Sequence, residues 1–134
     1  MNNWIEKQLP SGTPEEIGVI QLAWLGDSVW ELHQRLKHIH MHSKSKDLHL
    51  SVVNEVKAKS QVDYLCFIKP SLNALELDLI RRARNKTKRC PKSLEPAIYA
   101  QSTAFETLIG WLFLKDPKRL SQLIKQIDSK QLEK

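Results

Sequence analysis

The stretch Leu22-Ala23-Trp24-Leu25-Gly26-Asp27-Ser28-Val29-Trp30-Glu31 constrains this chain most. Its apolar residues fall on more than one side of a helix, so the helix must pack against neighbours in several directions. Asp27 stands among them. A carboxylate beside that much apolar surface is costly to desolvate unless a cation or several donors hold it. The arrangement recurs once, in Thr103-Ala104-Phe105-Glu106-Thr107-Leu108-Ile109-Gly110-Trp111, where Glu106 stands between Phe105 and Leu108-Ile109. Two acids embedded in apolar helices with glycines close by point to one shared polar site. Gly110 lies one turn beyond Glu106 and Ala23 one turn before Asp27. These small neighbours are expected to leave room for an ion and its water. Mg²⁺ and Mn²⁺ favour carboxylate ligands, and Mg²⁺ needs only one or two of them because it keeps several waters. The alternative is a pair of acids satisfied by an arginine or a helix N-terminus.

Helix signals run from end to end, and no stretch alternates as a strand does. Thr13-Pro14-Glu15-Glu16 offers a cap, a first-turn proline and the glutamate of a capping box. A helix through Ile17, Ile20, Trp24, Ser28 and Glu31 follows, running to about Leu36 or His40, with Gly18 or Gly26 able to shift or bend it. A second helix is expected from Asp47 to about Phe67, stopped by Pro70. Asn73-Ala74-Leu75-Glu76 opens a third, carrying Leu75, Leu79, Ile80 and Ala83. A fourth starts near Ser93 to Pro96 and reaches about Leu114. The fifth begins at Asp116-Pro117, with Leu120, Leu123, Ile124 and Ile127 on one face. The expected class is all-α, one domain of about five or more helices spanning residues 1–134.

A chain of 134 residues, 41% hydrophobic and 27% charged, is long enough to bury a real core and has no disordered character. Its longest apolar run, Leu108 to Leu114, falls well short of the ~20 residues of a membrane span. The N-terminus has no basic head followed by an apolar core, so neither a membrane nor an export signal is expected, and the location should be cytoplasmic. Cys66 and Cys90 lack metal-type spacing and read as reduced thiols, with Cys66 a packing residue of its helix.

The net charge of +6 is unevenly placed. Arg81, Arg82, Arg84, Lys86, Lys88, Arg89 and Lys92 fall in a twelve-residue window without an acid, and the rest of the chain sums to −1. Positive charge concentrated this way suits a polyanion. The window holds no aromatic residue for stacking on unpaired bases. With Asn85 and Thr87 as donors, it suits the phosphates and 2′-hydroxyls of a duplex better. Lys57 and Lys59 are weaker candidates for the same surface. A solvated basic loop is the plain alternative. All five histidines lie between His33 and His49. His38, His40 and His42 have the spacing of an extended zinc site, but a positively charged helix end is the simpler reading.

These residues also carry a resemblance. Leu25-Gly26-Asp27-Ser28-Val29 resembles the signature helix of the ribonuclease III catalytic domain, Ser51-Val52-Val53-Asn54-Glu55 is similar to its following helix, and Thr103 to Gly110 looks like its closing acidic motif. The Mini-ribonuclease III group, which has no separate double-stranded RNA-binding domain, is the best match. Leu22 to Leu32, Lys57-Ala58-Lys59-Ser60-Gln61 and Arg81-Arg82-Ala83-Arg84-Asn85-Lys86 occur in that group's order. The resemblance covers about residues 17 to 127. It departs from full-length ribonuclease III where further carboxylates stand, since Ile20, Ala23 and Thr103 occupy those places here. Glu31 is a candidate for part of the missing charge, against a plain solvent-facing role.

The resemblance implies an α-helical homodimer with Trp24 and Leu25 at its interface, their alternative being intramolecular core. It implies an endoribonuclease that cuts double-stranded RNA, structured ribosomal RNA precursors being the substrate class. Asp27 and Glu106 would be the catalytic, metal-binding residues, with Mg²⁺ or Mn²⁺ as cofactor. Arg81, Arg82, Arg84, Asn85, Lys86, Lys88, Arg89 and Lys92 would grip the duplex. The absent carboxylates keep open a non-catalytic duplex-RNA-binding module. A helical protein-interaction domain with structural acids is a further rival.

Overall fold

The computed structural model describes residues 4–10, 12–41, 44–87 and 90–132. Among these it contains helices and turns and no strand: α1 (Trp4–Lys7), α2 (Val19–His38), α3 (Ser45–Val56), α4 (Ala58–Ile68), α5 (Ala74–Lys86), α6 (Pro96–Lys115) and α7 (Pro117–Leu132). Single 3₁₀ turns occupy Pro14–Glu16 and Lys69–Ser71. No helix among the described residues is long and apolar enough to cross a membrane.

α6 is the axis. Ten of its residues between Ser102 and Leu112 are buried, as an apolar helix surrounded on all sides must be. α2, α4, α5 and α7 pack around it. Trp30 of α2 is fully buried at the centre. Its ring meets Phe105 of α6 edge-on at 5.1 Å and Tyr64 of α4 at 5.5 Å, while its indole N–H donates to the Glu55 carbonyl at 3.1 Å.

The α2–α6 crossing is tighter than side chains permit. A Cβ on Gly26 would lie 1.8 Å from the Glu106 carbonyl oxygen, and one on Gly110 would lie 2.1 Å from that of Leu22. Only glycines let the two backbones touch there. Thr107 closes the same seam, its hydroxyl lying 3.0 Å from the Val19 carbonyl and 2.9 Å from that of Thr103.

Three sequence expectations need correction. The first long helix does not begin at the Thr13 cap. Pro14–Glu16 form a separate 3₁₀ turn, Ile17 is extended, and α2 starts after Gly18, whose N–H donates to the Gln21 side chain at 3.0 Å. The expected helix from Asp47 to Phe67 is two helices, parted at Lys57, which is extended (φ −64°, ψ 153°). Carbonyls freed by the break find donors. Asn54 accepts from the Ser60 hydroxyl at 2.7 Å and Glu55 from Trp30. The break lets α3 lie on α2 while α4 turns onto α6. Finally, Cys66 is exposed rather than packed. The inward stripe of α4 is Gln61, Tyr64, Leu65 and Ile68, which leaves position 66 on the outer face.

The remaining helix starts form as their sequences indicate. Asn73 and Glu76 exchange side-chain and backbone hydrogen bonds at 2.9 Å. Glu76 is 1% exposed and also holds Arg119 of α7, whose Nε and Nη2 each lie 3.0 Å from its carboxylate. Asp116 caps α7 through the Arg119 N–H at 3.1 Å.

Candidate active site

The glycine crossing sets the acids side by side. Asp27 follows Gly26, and Glu106 is the residue whose carbonyl Gly26 touches. Their carboxyl groups lie within hydrogen-bonding reach. Asp27 is exposed and Glu106 half-buried, so the acid that is awkward to desolvate is Glu106 rather than Asp27. Burial pushes the Glu106 carboxyl up to about 9, helped by its hydrogen bond to Asp27 and by the charge there. The amide of Gln61 acts in the opposite direction.

Beside the acids opens a cavity of about 410 Å³ lined by Ile20, Ala23, Trp24, Asp27, Lys86, Thr87, Tyr99, Thr103 and Glu106. The space expected next to Gly110 is not there, because that glycine is filled by the α2 backbone. Room lies instead over Ile20, Ala23 and Thr103. Among the described residues no group of three or more His, Cys, Asp or Glu side chains could hold a metal ion. The pair nevertheless fits a hard divalent cation. Two adjacent carboxyls of which one is driven to keep a proton are relieved when a cation replaces that proton, and Mg²⁺ fills its other positions with water.

Glu31 does not join them. It pairs with Arg35 at 3.1 Å and lines a separate cavity with His38, Ser45 and His49. The histidines are dispersed. His33 Nε2 lies 3.1 Å from Asp128, which Lys37 also reaches at 3.2 Å, so the two tie α2 to α7. His38 Nδ1 lies 3.1 Å from the Met41 sulfur. His42 lies outside the described residues.

The basic window divides. Arg81, Arg82, Arg84, Asn85 and Lys86 form the last turns of α5. Arg81 and Arg82 fold back onto Asp78 at 2.7 and 3.0 Å. Arg84, Asn85 and Lys92 are exposed. Lys86 and Thr87 turn towards the acid cavity. Lys88 and Arg89 lie outside the described residues. Trp24 is 81% exposed, so intramolecular core is not its role, and Leu25 is partly exposed. Sequence reasoning missed Gln61 and Tyr99. A lone amide on the inward stripe of α4 was the available signal for Gln61.

Residues 20–117 match the Ribonuclease III domain family model. The chain belongs to the ribonuclease III family. Within it, the curated relatives are of the Mini-ribonuclease III group. A Mini-ribonuclease 3 from a Synechococcus species is 38% identical over 122 residues, covering 91% of this chain and 88% of its own length. One from Gloeobacter violaceus is 40% identical over 107 residues, covering 80% and 79%. The fold is similar to the crystal structure of a Fusobacterium nucleatum protein, with a TM-score of 0.75, 29% identity, and 81% and 90% of the two chains covered. For this ribonuclease III family member, the match spans both acids and the basic window.

The raised Glu106 value predicts how the metal-free protein responds to pH. Unfolded, the carboxyl titrates near 4.5; folded, near 9. Between those values the folded chain binds more protons, so its stability falls as pH rises through the window. In chelator, urea unfolding should show the parent losing more stability between pH 5.5 and 8.5 than Glu106→Gln does. Equal losses would remove Glu106 as the source.

Proposed function

We propose that this protein is a metal-dependent endoribonuclease that cuts double-stranded RNA, with a single catalytic domain and a cytoplasmic location. The adjacent Asp27 and Glu106 at the mouth of an open cavity carry this reading, together with the family match. Asp27 and Glu106 would hold Mg²⁺, or Mn²⁺ in its place. The bound metal would supply an activated water and charge stabilisation at the phosphate. Held as carboxylates, Asp27 and Glu106 would both face the cavity as acceptors. Lys86, on the cavity wall, attracts a phosphate to the acids and offsets their repulsion of RNA. No side chain has to act as nucleophile. Incubation with a structured duplex RNA at low salt should give Mg²⁺-dependent cleavage. Asp27→Asn should lose it by on the order of 100-fold or more while folding and RNA binding persist. Binding without cutting under any metal would leave a duplex-RNA-binding module instead.

The duplex grip is assigned to Arg81, Arg82, Arg84, Asn85, Lys86, Lys88, Arg89 and Lys92, with ribosomal RNA precursors as the substrate class. The free exposed members should dominate, since Asp78 already holds Arg81 and Arg82. Each phosphate contact adds roughly 0.9 to the slope of log affinity against log salt. Neutralising Arg84, Lys86 and Lys92 together should therefore flatten it by about 2 to 3 in a filter-binding titration. An unchanged slope removes the segment as the clamp.

A homodimer is the remaining part of the proposal. Trp24 is a large exposed aromatic, with Leu25 next to it, as a contact between copies requires. Sedimentation of the parent should report a dimer and of Trp24→Ala a weakened one. A monomeric parent removes the interface.

A further inference from the structure

Gln61 is 2% exposed on the inward stripe of α4, and its side-chain nitrogen has no hydrogen-bond partner of ordinary length. A buried N–H left unpaired costs roughly 1–3 kcal/mol, and an apolar residue of similar volume there would avoid that cost. The neighbour its amide reaches is the Glu106 carboxyl. α4 packs on α6, whereas Asp27 approaches Glu106 from α2. Glu106 therefore stands between an acceptor that competes with it and a donor that suits it.

We infer that Gln61 is a positioning residue: its amide N–H holds the Glu106 carboxylate in the orientation that presents it, with Asp27, to a divalent cation. This rests on the proposed nuclease function and deepens it. The amide is already buried, so it would hold that carboxylate at no further desolvation cost. Partners of this kind, behind a metal ligand, change metal affinity or activity by roughly 10- to 100-fold when removed.

The test compares the parent with Gln61→Met, which keeps the volume and deletes the donor. Gln34→Met serves as control, because Gln34 is also a fully buried glutamine with both side-chain polar atoms unpartnered, but is not among the groups that act on Glu106. Mn²⁺ binding is read by calorimetry, RNA affinity in chelator by filter binding, and cleavage by kcat and KM separately. Gln61→Met should bind Mn²⁺ about 10-fold or more weakly and lose kcat, with KM and metal-free RNA affinity unchanged. Gln34→Met should match the parent in Mn²⁺ affinity. If Gln61→Met fails to fold, Gln61→Asn, which draws the donor back by one methylene, should show the same pattern. A folded Gln61 variant that binds Mn²⁺ and cuts like the parent overturns the inference while the nuclease reading stands. A parent that neither binds Mn²⁺ nor cuts overturns both.

Discussion

The backbone contact between α2 and α6 is the constraint on which the site depends. Gly26 and Gly110 bring the two helices closer than any Cβ permits, and the Thr107 hydroxyl lies against carbonyls of both. Dense packing makes such a crossing stiff, because interiors tolerate little volume change. Asp27 and Glu106 project from residues at that crossing, so their separation is set by main chain rather than by flexible side chains. Two like charges can be forced together only by such a scaffold. Trp30, one turn beyond Gly26 and packed on Phe105 and Tyr64, extends the same lock towards α4.

Fixing the acids has an electrostatic consequence. Asp27 can shed its repulsion into solvent; Glu106 cannot, and burial is the largest cause of its upward shift. A proton is the least demanding cation that relieves the pair, and the divalent metal of the proposed function would compete with it. Stability and the proposed metal affinity would thereby be linked through one carboxyl. The asymmetry between an exposed and a half-buried acid comes from their elements. α2 turns Asp27 to the surface, while α6 is enclosed on all sides.

Much of this was legible in the sequence, for identifiable reasons. The two acids, the apolar α6 and the Asn73–Glu76 cap were readable because each is a local pattern with one physical meaning. The glycines were noticed but misread. One-dimensional spacing shows that a glycine leaves space on its own helix and says nothing of whether another backbone fills it. The break at Lys57 was hidden because both halves keep helical periodicity, and the new donor to the Glu55 carbonyl, Trp30, lies 25 residues earlier in the chain. The exposure of Cys66 followed from phase, which a run of apolar residues blurs. Gln61 required knowing that α4 faces Glu106, a fact of tertiary structure alone.

The basic window shows how charge that looks uniform in sequence acquires separate uses in three dimensions. Its first half ends a helix, where cations complement the partial negative charge of the terminal carbonyls. Arg81 and Arg82 meet Asp78 on the exposed surface, where such pairs contribute little to stability but hold the side chains along α5. Lys86, at the last position of that helix, instead meets the acid cavity. Cation and carboxylates sharing one wall give that cavity both signs of charge, which suits a phosphate approaching an acidic centre better than either sign alone. The end of α5 thus fixes where the positive field of the window meets the negative charge of the site, and hence, on the proposed function, where a phosphate of the RNA backbone would be held.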